Sequence, residues 1–297
     1  MSNIRGKNID NTMLSVDQAE ARGFIHRDYI AHCLRWTHVA KFLQRSGTYQ
    51  TVKLLDIGCG KEVPLAKLMY SSRLNPTSGI YVGVDYNKLA YPEMFHTGKF
   101  PLQLIDQCIF PDNFTKRKEA VENANNVAIP NKFDVITCFE VAEHVEPEGT
   151  LKLLNGIKDH LALGGIAFMS TPCYDEQTGA AGNHVNEMSH EAFGSMIEHT
   201  GLSVKNVYGT FASIKDYKYV MTKAQEEVFS QLREYYDTNY LATIFAPLFP
   251  KQSRNCIWEI ENHVGGHTMQ YSDLRDLSAQ KHSSSTAWPK FVAGLEA

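Results

Sequence analysis

Val52 to Ile57 is a short aliphatic run that ends in Gly58-Cys59-Gly60, and few folds accept that pattern. A run this apolar reads as a strand buried on both faces, as in a parallel sheet. The two glycines permit a tight turn that brings bare backbone up to a ligand. Pro64-Leu65-Ala66-Lys67-Leu68-Met69 then has helical composition, with Pro64 suited to a first turn. Strand, glycine turn and helix in that order form the place where an open α/β sheet binds a nucleotide-like ligand. Two other grips are missing. The dinucleotide fingerprint needs a third glycine where Val63 stands, which disfavours a nicotinamide dehydrogenase. A phosphate loop needs Gly-Lys-Ser/Thr, and Gly60-Lys61 is followed by Glu62. A carboxylate there opposes a pyrophosphate and suits a ligand with a cationic or hydroxylated portion.

The alternation repeats downstream. Ile80 to Asp85 reads as a second buried strand ending in a carboxylate. Such a residue can accept both hydroxyls of a ribose; its plainer role is to cap the next helix. Leu102 to Asp106 reads as a third strand, and Asp106 either meets an adenine amino group or caps a turn. Residues 111–131 are polar and read as an irregular surface excursion. Phe133 to Phe139 is the fourth strand, with Glu140-Val141-Ala142-Glu143-His144 at its end. A helix from Leu151 to Leu161 is expected to stop at Gly164-Gly165, before a fifth strand from Ile166 to Ser170. The long loop 173–190 at that strand's end has a length more often functional than idle. Then come a helix from Glu191 to Thr200, a strand from Leu202 to Tyr208, a helical stretch from Tyr219 to Tyr240 and a last strand from Ile257 to Glu261. Near the start, Tyr29, Cys33, Trp36, Ala40 and Leu43 form one stripe of an amphipathic helix, which closes a sheet edge or covers the ligand.

This βαβ pattern predicts an α/β fold with a mostly parallel sheet and helices on both faces. The chain divides into a helical segment over 1–49, a main domain over 50–264 with a helical insertion over 211–250, and a loosely ordered tail over 265–297. Residues 1–20 are polar and expected to be mobile. A net charge of -4 offers no broad attraction for a nucleic-acid backbone, though it leaves recognition of a single terminus open. Six scattered cysteines without a CxxC pair read as reduced packing residues, and no apolar run reaches membrane-spanning length. The expectation is a cytoplasmic protein with no membrane partner.

Leu54-Leu55-Asp56-Ile57-Gly58-Cys59-Gly60, Val84-Asp85, Phe133-Asp134-Val135-Ile136 with Glu140-Val141-Ala142-Glu143-His144, and Leu163-Gly164-Gly165 together resemble the class I S-adenosylmethionine-dependent methyltransferases. The resemblance covers roughly residues 50 to 210. It implies a Rossmann-like seven-stranded sheet with the last strand antiparallel, and a lid over 211–250. It implies that Asp56, Gly58 and Gly60 line the methionine portion of S-adenosyl-L-methionine, Asp85 its ribose and Asp106 the adenine, with Cys59, Tyr86, Phe139 and Glu140 completing the cofactor site. The wording of the lid is similar to phage-encoded methyltransferases.

At the acceptor end, Glu140, Glu143 and His144 stand at i, i+3 and i+4, and would share one face if a helix begins there. Two carboxylates and an imidazole suit Mg²⁺ or Mn²⁺. Alternatively His144 is a general base or merely orients the substrate, with Glu143 a solvated helix charge. Glu-x-x-Glu-His resembles both the small-RNA 2′-O-methyltransferases and the ubiquinone-pathway O-methyltransferases, where it holds a divalent ion. In the first group a loop histidine joins it, and the surroundings of His184 resemble that position. Glu140, Glu143, His144 and His184 are therefore the candidate metal set, with the first three as catalytic residues. Tyr174, Asp175 and Glu176 are placed to shape an acceptor pocket, while His190 and His199 read as helix-surface residues. O-methylation of a hydroxyl is the expected reaction. The acceptor is either a small molecule or a nucleic-acid terminus, and a cofactor-binding partner subunit without catalysis is the rival of another class.

Overall fold

The computed structural model describes residues 27–96, 98–174, 180–212, 220–236 and 238–262. The expected mobile start, the tail over 265–297, and Asp175 and Glu176 lie outside the described residues. Helix α1 (Arg27–Ser46) precedes β1 (Lys53–Ile57), α2 (Pro64–Ser71), β2 (Ile80–Val84) and β3 (Leu102–Ile105). There follow α3 (Phe114–Asn125), β4 (Phe133–Phe139), α4 (Pro147–His160), β5 (Leu161–Pro172), α5 (His190–His199) and β6 (Ser203–Ala212). Helices α6 (Lys223–Leu232) and α7 (Thr238–Phe245) lead to β7 (Ser253–Glu261).

The seven strands form one sheet in the order β3-β2-β1-β4-β5-β7-β6. Pairing is parallel from β3 to β5, and β7 runs antiparallel to both its neighbours. The sheet is Rossmann-like, as expected. Successive residues of β1 go to opposite cores. Leu54 packs with Val39 and Leu43 of α1 and Leu65 and Met69 of α2. Leu55 packs with Leu154 and Ile157 of α4 and Phe193 and Met196 of α5. Both faces are covered, so both residues of each pleat are apolar, and the strands read as continuous rather than alternating runs. A third, small cluster of Phe229, Leu241, Ala242 and Phe249 holds the helical insertion together.

Three expectations need correction. Residues 114–125 are not irregular but form α3, a helix that buries only Phe114. A helix so polar carries almost no apolar stripe, so its period is invisible in sequence. The helix before β5 ends at His160, short of the glycines, and Leu161 already pairs with Phe133. Gly164 and Gly165 instead sit in a bulge, because Ile166 pairs with Val135, and Gly164 has φ +73°. No α-helix starts at Glu140: only Ala142–His144 form a single 3₁₀ turn, and Glu140 itself has φ +55°.

Among the described residues no helix is long and apolar enough to cross a membrane.

Candidate functional site

Two adjacent strand tips build the first part of the site. Ile57 pairs with Val84, and the Val84 carbonyl accepts from Gly58 N at 2.8 Å and Cys59 N at 3.1 Å. The glycine turn is thereby pinned to the end of β2. Asp85 completes the closure: Oδ2 accepts from Gly60 N at 3.0 Å, while Oδ1 accepts from Asn87 N at 2.8 Å and Asn87 Nδ2 at 2.9 Å. Asp85 is therefore no distant helix cap; its carboxylate touches the turn.

Gly58 and Gly60 have φ +70° and +68°, which only glycine adopts without strain. A Cβ at Gly58 would lie 2.5 Å from Val141 Cγ2, whereas one at Gly60 meets nothing within 4 Å. The turn is roofed on one side and open on the other. Gly58→Ala is expected to lower stability by about 1–3 kcal/mol, from backbone strain plus overpacking, read as a drop in thermal midpoint. An unchanged midpoint would show that Val141 yields freely.

Asp56 is brought to the same place but is only 5% exposed. Its carboxylate accepts from Tyr81 Oη and, at 2.6 Å, from Thr137 Oγ1, so both oxygens are engaged within the sheet. Burial pushes its pKa up to about 6, against the downward pull of those two bonds and with a further rise from the nearby Asp85 charge. A raised carboxyl contributes stability that is complete below the unfolded value and is lost as pH rises through the folded one. From about pH 4 to above 6 that loss amounts to about 3 kcal/mol. Asp56→Asn is expected to abolish it, so the stability difference between variant and parent moves by about 3 kcal/mol in the variant's favour from pH 4 to pH 7 in urea unfolding. A constant difference would place the carboxyl at its ordinary value.

The other cofactor candidates divide. Tyr86 is 72% exposed beside Asp85, with its ring open to a ligand. Cys59 is buried under β2, where a Cβ at Gly83 would come within 3.0 Å of its Sγ, and it reaches the turn only through its backbone. Phe139 packs against the core shared with α1 and α2. At the tip of β3 the Asp106 carboxylate pairs with Arg117, whose Nε also donates to the Asp106 carbonyl at 2.9 Å.

The second part lies at the tips of β4 and β5. Glu143 is 1% exposed, and its Oε1 stands 3.9 Å from His144 Nε2. The imidazole rings of His144 and His184 meet edge to face at 5.0 Å. One ligand atom from each of Glu143, His144 and His184 lies within 4.8 Å of the others, a set that could hold a divalent ion. Both imidazoles are oriented from behind. His144 Nδ1 donates to the Asn183 carbonyl at 3.1 Å, and His184 Nδ1 bonds the Glu187 carboxylate, which also accepts from Ala181 N at 3.0 Å. These bonds leave Nε2 of each ring to serve as ligand, the way protein metal sites fix a histidine tautomer. Glu187 was not singled out from sequence, although it stands three residues after His184.

Burial and the neighbouring Glu140 charge push the Glu143 carboxyl well above the ordinary range. The loop binds this wall too, since Val185 N and Asn186 N donate to the Glu143 carbonyl at 2.9 and 3.2 Å.

Glu140, expected in the metal set, does not join this cluster. Its left-handed backbone aims the side chain elsewhere: Oε1 accepts from Ser170 Oγ at 2.7 Å, and both oxygens accept from Asn255 Nδ2 at 3.1 and 2.9 Å. Arg35 of α1, 3% exposed, reaches Oε2 at 3.2 Å. Burial opposes its charge, yet Arg35, with His32, Asn255 and Ser170, holds the Glu140 carboxyl below the ordinary range. Helix α1 thus packs on the sheet and also reaches the site, through a residue that its apolar stripe did not reveal. His199 is exposed as expected, but His190 is 1% exposed and not on the surface.

The family described as "Methyltransferase domain" matches residues 25–207. The mitochondrial ubiquinone biosynthesis O-methyltransferase of Candida albicans is 29% identical over 121 residues, which is 41% of this chain and 32% of that protein. The chain thus spans about a third of the length of that relative. Among solved structures, magnesium protoporphyrin IX methyltransferase from Synechocystis PCC 6803 is similar at 11% identity and a TM-score of 0.48, over 86% of this chain and 89% of that one. PKMT2 from Rickettsia typhi in complex with AdoHcy is similar at 15% identity and 0.46, over 76% and 52%.

Proposed function

Since this chain belongs to the methyltransferase-domain family, we propose that it transfers the methyl group of S-adenosylmethionine to a hydroxyl oxygen beside Glu143, His144 and His184. The hydrogen bond from Gly60 N to Asp85 carries this reading, because it unites both strand tips in one binding surface. A sulfonium nucleoside presents a positive charge, an amino acid and a ribose. The surface offers open glycine backbone, a carboxylate at the tip of β2 and the exposed Tyr86 ring, with no grip for a pyrophosphate. Asp85 accepts from the ribose hydroxyls, and Gly58 to Gly60 lie along the methionine portion.

Oxygen as the acceptor atom is supported by the three-residue cluster and by the partial likeness to an O-methyltransferase. A divalent ion held there would supply a positive charge that favours the ionised form of an acceptor hydroxyl. Glu143 and the two imidazoles hold that hydroxyl's oxygen on line with the methyl group, since alignment supplies much of the rate of such a transfer. Where no ion is bound, His144 Nε2, on a side chain that is 43% exposed, is the atom that can take the acceptor proton and pass it to solvent. As the methyl moves to oxygen, the sulfonium becomes a neutral thioether.

Calorimetric titration with S-adenosylmethionine and with NAD, followed by methylation of a catechol series with Mg²⁺ or Mn²⁺, tests the reading. Binding of the sulfonium alone, and turnover abolished by excess EDTA and restored by the ion, is the expected result. Turnover unchanged in EDTA would remove the ion, and tight sulfonium binding without turnover on any hydroxyl would remove O-methylation.

A further inference from the structure

Away from that cluster, Cys173, His190 and Cys256 come together in the core, 4%, 1% and 0% exposed. One ligand atom from each lies within 4.8 Å of the others. Cys173 Sγ is 3.7 Å from His190 Nδ1, and His190 Nε2 donates to the Ser253 carbonyl at 3.3 Å. That second bond fixes the ring with its Nδ1 lone pair towards the sulfur, the same arrangement that orients a metal-ligating histidine.

Two explanations compete for a buried thiol pair, and strand register separates them. Thr171 lies opposite Cys256 and Pro172 opposite Asn255, and Cys173 N donates to the Arg254 carbonyl at 2.6 Å. Cys173 is therefore diagonal to Cys256, and diagonal residues of an antiparallel pair have Cα atoms about 7–8 Å apart. A disulfide needs roughly 4.4–6.8 Å between Cα atoms. That register disfavours a disulfide, both cysteines are free, and their sulfurs lie within the 4.8 Å that an ion between them can span. Zinc bonds of about 2.3 Å to sulfur and about 2.0–2.1 Å to nitrogen, at a tetrahedral angle, put S and N about 3.6 Å apart, close to the 3.7 Å found.

We propose that Cys173, His190 and Cys256 form a structural zinc site. Two thiolates and a neutral imidazole balance the dication, and binding releases the two thiol protons to solvent. The Pro250 carbonyl, 3.5 Å from Cys256 Sγ, is an oxygen within reach for the fourth position. The surrounding wall is apolar, with Met188, Phe193 and Trp258 in the same core, so the site is closed to water. Its place explains what it does. Cys173 and His190 flank the loop that carries His184 and Glu187, and the base of that loop already pairs Cys173 with Met188. Zinc ties both ends of the loop to β7, which holds His184 against His144. The inference is independent of the methyl-transfer reading.

Purified full-length protein from zinc-supplemented cells is dialysed against EDTA and its metal content measured. About one zinc per chain is expected to remain, in the parent and in a His144→Ala/His184→Ala variant, and to be lost in Cys256→Ser and Cys173→Ser. Protein grown with cobalt in place of zinc avoids any folding defect of those variants. It is expected to show thiolate-to-cobalt charge-transfer absorption, which the oxygen–nitrogen cluster cannot produce. Parent protein with less than about a tenth of an equivalent of zinc and no such absorption overturns the site, as does zinc retained in both cysteine variants.

Discussion

His144→Ala is expected to lower kcat about 10²–10³-fold while leaving the Kd for S-adenosylmethionine within about twofold. The side chain is 43% exposed and its Nδ1 bonds only a loop carbonyl, so its removal leaves the fold standing. What goes is the Nε2 atom 3.9 Å from the Glu143 carboxylate, which in the proposed reaction is ligand or proton acceptor. Either role acts on the acceptor oxygen and neither touches the nucleoside, so turnover falls and cofactor affinity does not. Steady-state rates with calorimetric binding of S-adenosylhomocysteine measure both quantities. His144→Gln, tested across a range of Mn²⁺ concentrations, separates the two roles: a ligand loss is partly recovered at high metal, and a lost base is not. A kcat equal to that of the parent would dismiss His144 from the reaction.

Asp85→Ala is expected to raise the Kd for S-adenosylhomocysteine about 30- to 100-fold, equivalent to about 2–3 kcal/mol, with kcat at saturation changed far less. Three donors converge on this carboxylate, from Gly60 N and both nitrogens of Asn87. The substitution removes the proposed acceptor for the ribose and also frees the glycine turn that the same oxygens hold. Asp85→Asn separates these effects. It keeps the size and one acceptor, so it is expected to fall between alanine and the parent in affinity while melting close to the parent. Equal affinity in Asp85→Ala and the parent would overturn the assignment of the ribose to β2.

Both expectations draw on residues that the chain displays plainly. The aliphatic run into Gly58-Cys59-Gly60 and the carboxylate after Val84 are short-range features, and strand pairing of Ile57 with Val84 then brings them together. His184 came from the resemblance of its surroundings to a known loop histidine, and its loop lies against Glu143. Spacing misled at Glu140. Steps of three and four residues imply one face only on a helix, and a backbone at φ +55° sends that side chain to Arg35 and Asn255 instead. No local pattern announces a partner 115 residues away. Helix α3 escaped because it buries a single residue, and His190 because its neighbours in the chain resemble any helix start.

Period and steric preference are properties of neighbouring residues, so the strands, the glycine turn and the order of elements could be read directly from the chain. The cluster of Glu143, His144 and His184 without Glu140, the Arg35 anchor and the Cys173–His190–Cys256 cluster belong to the folded molecule alone. Each joins segments far apart in the chain, and only the packing of the sheet and its register fix which of many polar side chains end within bonding distance.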